Sequence, residues 1–86
     1  MDEIESKIVR DFIDEAMDSG FECSPTFTPD KFFMSLAIAD ESEVPILEIN
    51  FFDNYIHISP SIKQSNADLD WLFNRVFEML YILEEA

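Results

Sequence analysis

The chain has 86 residues, of which 48% are hydrophobic and 14% aromatic, and its 19 acidic and 5 basic residues give a formal net charge of -14. This length fits a single domain, residues 1–86, and the apolar content argues against intrinsic disorder despite the charge. The charge is unfavourable for binding DNA, RNA or anionic membranes, and no apolar run reaches the roughly 18 residues of a membrane-spanning helix.

Residues 2–19 predict an amphipathic helix, because apolar side chains recur at helical spacing and acidic residues occupy the first turn. The only glycine, Gly20, follows as the expected C-terminal stop. The predicted apolar stripe consists of Ile4, Ile8, Val9, Phe12, Ile13, Ala16 and Met17. The opposite face carries Glu3, Lys7, Asp11, Asp14, Glu15 and Asp18.

Four segments follow that favour extended structure. Residues 21–30 are predicted as irregular chain or an edge strand, because Pro25 and Pro29 cannot donate hydrogen bonds within a central strand. The other three segments alternate apolar and polar residues, which is typical of half-buried strands; they are residues 31–39, 44–52 and 55–59. The short turns between them, at 40–43 and 53–54, favour antiparallel hairpins.

A second amphipathic helix is predicted to begin at a cap provided by Ser65 or Asn66, after a loop at residues 61–65, and to run to about Leu83. Its core stripe is Leu69, Leu72, Phe73, Val76, Leu80 and Leu83. The order of elements predicts an α+β fold: a two-layer sandwich with an N-terminal helix, a three- to four-stranded antiparallel meander and a C-terminal helix.

The second helix has more apolar residues than one buried face needs. Outside the core stripe it carries Trp71, Phe77, Met79, Tyr81 and Ile82. One interpretation is that some of these side chains pack beneath residues 21–30. The other is an exposed hydrophobic strip of Trp71, Phe77, Tyr81 and Ile82 that forms a homodimer or binds a partner, since aromatic residues are the usual anchors of such contacts.

Residues that carry catalysis or bind cofactors are sparse. The single histidine, His57, is expected on an exposed strand face, and Cys23 has no activating base nearby in sequence. One glycine excludes a glycine-rich phosphate loop, and no Cys/His cluster predicts zinc. We therefore expect no enzyme activity, no cofactor and no metal site; an enzyme that uses His57 with nearby carboxylates is a much weaker alternative. The unpaired cysteine and the acidic N-terminal residues predict a cytoplasmic protein.

The carboxylates are the strongest functional signal. Along a helix, residues three or four apart lie about 5–6 Å from one another, which is comparable to the spacing of phosphates along a nucleic-acid strand. We predict a partner-binding acidic face that docks on a basic protein surface; its residues are Asp11, Asp14, Glu15 and Asp18, with Asp40, Glu41 and Glu43 as a second patch. A solvated helix face that serves only solubility is the alternative.

In size, charge and layout the whole chain resembles small acidic proteins that phages and mobile elements encode against bacterial defence enzymes. Anti-CRISPR proteins, anti-restriction proteins and uracil-DNA glycosylase inhibitors are examples. The resemblance rests on no motif, so no functional residue is carried over. It implies a DNA-mimicking inhibitor in the host cytoplasm that blocks a nucleic-acid-binding enzyme. Toxin-immunity proteins and secretion chaperones fit the same description, and they imply a dimeric chaperone-like, immunity or adaptor module that binds through the apolar helix.

Overall fold

The computed structural model of the protein describes residues 3–28, 33–52, 55–61 and 68–85. In chain order the elements are helix α1 (Glu3–Asp18), strands β1 (Glu22–Thr28), β2 (Phe33–Ala39), β3 (Pro45–Phe51) and β4 (Ile56–Pro60), and helix α2 (Leu69–Glu85). The strands form one antiparallel sheet in the order β1-β2-β3-β4. The predicted α+β arrangement is confirmed. The predicted turn at 53–54 and residues 62–65 of the predicted loop lie outside the described residues.

Strand register separates the sheet into an apolar face and a polar face. On the apolar face Leu36 pairs with Ile49, which pairs in turn with Ile58. On the polar face Asn50 pairs with Ser35 on one side and with His57 on the other. The polar face is rich in small side chains, and we call it the open sheet face because the helices do not cover it.

Both helices pack on the apolar face of the sheet. Their fully buried residues join the strand residues in one core, namely Val9, Phe12 and Ala16 from α1 and Leu72, Val76 and Met79 from α2. Arg75 contacts both Phe12 and Glu15, so the two helices lie side by side. The result is a two-layer sandwich with β1 and β4 as the edge strands.

Helix α1 ends at Asp18, and Gly20 follows as the C-terminal stop that the sequence predicts. Gly20 has a φ of +95°, a left-handed conformation that glycine adopts without steric cost. The backbone N–H of Phe21 donates to the carbonyl of Ala16 at 3.0 Å, and that of Gly20 donates to Met17 at 3.1 Å. These two bonds form a Schellman motif, which satisfies the last carbonyls of the helix and directs the chain into β1.

Helix α2 begins later than predicted. The carboxylate of Asp68 accepts a hydrogen bond from the backbone N–H of Trp71 at 3.1 Å, which is an N-cap interaction. The cap predicted at Ser65 or Asn66 falls outside the described residues, and the helix starts instead at Leu69. The reason is that the carboxylate of Asp68, two or three residues further along, is an equally good acceptor for the first free N–H groups.

Burial departs from the predicted stripes at three residues. Met79 is fully buried, although the sequence pattern places it outside the α2 stripe. Ile4 and Met17, at the two ends of the predicted α1 stripe, are exposed because they extend beyond the core. In the described part of the chain neither helix has the length and apolar content that crossing a bilayer requires.

Candidate partner-binding surfaces

The outward side of α1 carries a row of carboxylates. Asp11, Asp14 and Asp18 are all exposed, and their spacing of three and four residues places them along one side of the helix over about 10 Å. Lys7 pairs with Asp11 at 3.2 Å, and both side chains are mostly exposed. An exposed pair of this kind contributes at most about 1 kcal/mol and breaks easily when another cation approaches.

Glu15 differs from that row because it is engaged within the protein. Its carboxylate accepts a hydrogen bond from Nε of Arg75, whose guanidinium also lies 5.7 Å from the centre of the Phe12 ring. Arg75 is largely buried, and its Nη1 atom has no hydrogen-bond partner in the described structure. Glu15 therefore neutralises a buried cation at the contact between the helices.

Asp40 is likewise engaged within the protein. It is only 7% exposed, and its Oδ1 atom accepts hydrogen bonds from the backbone N–H groups of Ser42 at 2.8 Å and Val44 at 2.9 Å. These bonds hold the β2–β3 turn, in which Glu43 adopts a φ of 64°. Glu41 and Glu43 of the same turn are exposed. Two carboxylates of the turn are therefore open to a partner, and the third, that of Asp40, stabilises the turn.

The fold brings the turn acids to the end of the α1 row. The side chain of Glu41 lies against Gly20, only two residues beyond Asp18. Because Glu15 and Asp40 are engaged within the protein, we restrict the name acidic face from here on to the other predicted residues, Asp11, Asp14, Asp18, Glu41 and Glu43. Except for Asp11, its members make no ion pair or hydrogen bond through their side chains with another described residue.

Strand pairing brings a further carboxylate, that of Glu22, close to the β2–β3 turn. The sequence-based prediction does not include this residue. Glu22 is exposed at the start of β1 and pairs with Ala39, which directly precedes Asp40. Its place beside the β2–β3 turn follows from the register between β1 and β2. Other carboxylates lie elsewhere, with Glu48 on the open sheet face and Asp70, Glu78, Glu84 and Glu85 on α2. The acidic face is therefore the part of a generally negative surface in which a helical row and a turn meet.

The predicted hydrophobic strip divides into two parts. Trp71 is half-buried and stacks on Phe21, with ring centres 6.0 Å apart and an interplanar angle of 9°. It therefore packs next to β1, as the first interpretation predicts. Phe77, Tyr81 and Ile82 remain 63%, 64% and 39% exposed. We call these three residues the apolar strip.

A shallow groove of about 440 Å³ lies near the C-terminal end of α2. Its lining comes from α1, α2 and the chain around β4, and consists of Glu5, Phe52, Tyr55, Ile56, Leu80, Leu83 and Glu84. Phe52 and Tyr55 stack with ring centres 4.5 Å apart and an interplanar angle of 18°. We call it the Tyr55 groove. No sequence pattern predicts it, because it forms only when three distant segments meet.

His57 and Cys23, the two groups that could serve catalysis, lie apart on the two edge strands, β4 and β1. His57 is exposed on the open sheet face, and its Nδ1 lies 3.2 Å from the hydroxyl of Ser59. Burial raises the pKa of Cys23 from 9.0 to about 11, so this thiol is protonated at neutral pH and is a poor nucleophile. Within the described residues, no three His, Cys, Asp or Glu side chains are grouped to hold a metal ion.

The fold and these surfaces define a small, strongly acidic α+β protein with an acidic face, an apolar strip and a groove lined by both apolar and acidic side chains. The chain matches no family model, and comparisons with curated proteins and with solved structures find no match.

Proposed function

We propose that the protein is a non-enzymatic inhibitor or adaptor that docks its acidic face on a basic surface of a partner protein. The observation that carries this proposal is the meeting of the α1 row and the β2–β3 turn at Gly20, where Asp18 and Glu41 have no cation beside them in the described structure. Arginine or lysine side chains of a partner would supply the missing counter-charges, and the net charge of -14 would steer the two molecules together.

The partner that fits this surface best is a nucleic-acid-binding enzyme of a bacterium, inhibited through its basic groove. A groove that binds nucleic acid presents arginine and lysine side chains to a regular row of phosphates. The row Asp11, Asp14 and Asp18 offers carboxylates at comparable spacing on a rigid helix. This mode of action is the one implied by the resemblance to anti-CRISPR and anti-restriction proteins.

The proposal is tested by capture of partners from a bacterial lysate at low and high salt, with wild-type protein and two charge-reversal variants. Asp14→Lys with Asp18→Lys alters the acidic face, and Glu78→Lys with Glu85→Lys makes the same change in net charge on α2. All four side chains are exposed, so both variants are expected to fold. We expect the first variant and high salt to abolish capture, and the second variant to retain it. Equal capture by both variants would exclude the acidic face as the contact.

A second candidate function is supported by the apolar strip. Exposed aromatic residues one helical turn apart, Phe77 and Tyr81, are suited to a homodimer or to a chaperone-like contact with another chain. In a homodimer, the strip would also bring Glu78 and Glu84 of one copy close to the same carboxylates of the other, which is unfavourable. Sedimentation at micromolar concentration separates the two candidates: a monomer contradicts the homodimer, and a dimer that Phe77→Ala dissociates supports it.

A further inference from the structure

The Tyr55 groove offers an aromatic surface to a ligand. Tyr55 is 60% exposed although its ring stacks on Phe52, so part of the stacked pair is open to solvent. Ile56, Leu80 and Leu83 supply the aliphatic part of the lining. A surface of this kind favours a side chain with an apolar stem and a flat polar end over a strongly hydrated ion.

The charge of the groove determines the sign of its ligand. Among the described residues that line the groove, Glu84 is exposed and carries a carboxylate, Glu5 carries a second one, and none is a lysine or arginine. An anionic ligand would be repelled, both here and by the net charge of -14. For the same reason a second copy of this chain is a poor occupant. The complementary ligand is cationic.

Among cationic side chains, arginine matches the groove better than lysine. A guanidinium is planar and less strongly hydrated than an ammonium group, stacks on aromatic rings and donates paired hydrogen bonds to carboxylates. The groove volume of about 440 Å³ exceeds that of one side chain, so it has room for a neighbouring apolar side chain as well. An arginine within a peptide segment satisfies the charge, the aromatic surface and the volume together.

We propose that the Tyr55 groove binds an arginine side chain, flanked by apolar residues, on a peptide segment of a protein partner. The guanidinium stacks on Tyr55 and hydrogen-bonds to Glu84, and the flanking apolar side chain packs on Leu80 and Leu83. This inference rests on the proposed function in one respect, that the partner is a basic protein. The groove is a second contact, separate in the structure from the acidic face.

The test uses the full chain labelled with ¹⁵N and the synthetic peptide acetyl-Leu-Arg-Leu-amide, titrated by NMR. We expect amide shift changes centred on Tyr55, Ile56, Leu83 and Glu84. A peptide with citrulline in place of arginine keeps the shape and loses the charge, and should cause much smaller changes. A lysine peptide should bind more weakly than the arginine peptide. No shift changes, or equal changes with the citrulline peptide, would overturn the proposal.

Two variants locate the site. Glu84→Gln should weaken binding of the arginine peptide about fivefold, because it removes one charge-assisted hydrogen bond, whereas the control Glu78→Gln should leave it unchanged. Tyr55→Ala removes the stacking surface; both Tyr55 and Glu84 are exposed, so a dispersed spectrum is expected for each variant. Shift changes centred on Asp14, Asp18 and Glu41 would overturn the proposal. Since the probe is a peptide, failure here is distinct from failure of the acidic face in the lysate experiment.

Discussion

The carboxylate of Glu41 lies against Gly20, with Oε1 2.7 Å from the position that a β-carbon at residue 20 would occupy. This contact joins the β2–β3 turn to the end of α1. It is possible because residue 20 has no side chain and adopts a left-handed backbone. The acidic face therefore depends on one glycine for its shape.

Gly20→Ala is expected to destabilise the protein by about 1–2 kcal/mol, because an alanine is strained at a φ of +95°. The added methyl group also displaces the end of the flexible Glu41 side chain. Urea unfolding measures the change, with Ser19→Ala as the control in the same turn. Glu41→Ala removes the side chain that this methyl group would meet. The double variant should therefore recover only the part of the lost unfolding free energy that is due to this contact. Full recovery would contradict the role of backbone strain.

Asp40 should stabilise the β2–β3 turn as a hydrogen-bond acceptor. Asp40→Ala leaves the N–H groups of Ser42 and Val44 without their acceptor and should cost about 1–3 kcal/mol in unfolding free energy. Asp40→Asn retains a side-chain oxygen and should cost clearly less. Chemical denaturation of the two variants compares these effects, and equal losses would show that charge, not hydrogen bonding, determines the stability of the turn.

Removing the charge of two neighbouring acids on α1, Asp14 and Glu15, is expected to have different effects on stability. Glu15→Gln weakens the interaction with the largely buried guanidinium of Arg75 and should lower stability by about 1–2 kcal/mol. Asp14→Asn removes an exposed charge with no cation beside it, so stability should stay the same or rise. Thermal unfolding of the pair tests this contrast. A loss of stability in Asp14→Asn equal to that in Glu15→Gln would contradict the different roles given to these residues.

The sequence predicts the element order well because each element has its own periodic pattern and is bounded by residues that end helices or strands. Alternation identifies β2 through Met34, Leu36 and Ile38, and Gly20 marks the end of α1. The edge position of β1 follows from Pro25, which cannot donate to a neighbouring strand.

What the sequence does not predict depends on contacts between distant segments. The stacking of Trp71 on Phe21 and the proximity of Glu41 to Gly20 arise only from packing. The same is true of the ion pair between Glu15 and Arg75, which lie 60 residues apart. The spacing of acids along the sequence predicts that they form a row on a helix. It does not predict which of them are neutralised by a cation from another element, as Glu15 is by Arg75.

Burial of Cys23 should make stability depend on pH in alkaline solution. Its pKa is raised from 9.0 to about 11 by desolvation, so the folded state holds the thiol proton more tightly than the unfolded state. The stabilising contribution is therefore full below pH 9.0 and is lost as the pH rises towards 11. Unfolding midpoints of wild-type protein and Cys23→Ser across this range should diverge, with the wild type declining more steeply. Parallel curves would contradict the shift.

The same shift predicts slow alkylation of the folded protein. Near neutral pH a rise of two units lowers the thiolate fraction roughly 100-fold. Reaction of Cys23 with iodoacetamide should therefore be much slower in the folded protein than in urea. Equal rates in the two states would show that the thiol is accessible and unperturbed.

The central claim, that the acidic face recognises a basic partner, is tested most directly by the salt dependence of the complex with the captured partner. Dissociation constants are measured over a range of salt concentrations for wild type, for Asp14→Asn with Asp18→Asn, and for Glu78→Gln with Glu85→Gln as a control of equal charge. We predict that salt weakens the wild-type complex strongly, that the first variant binds more weakly with a shallower salt dependence, and that the control resembles the wild type. An affinity indifferent to salt, or one that both variants change equally, would contradict the claim.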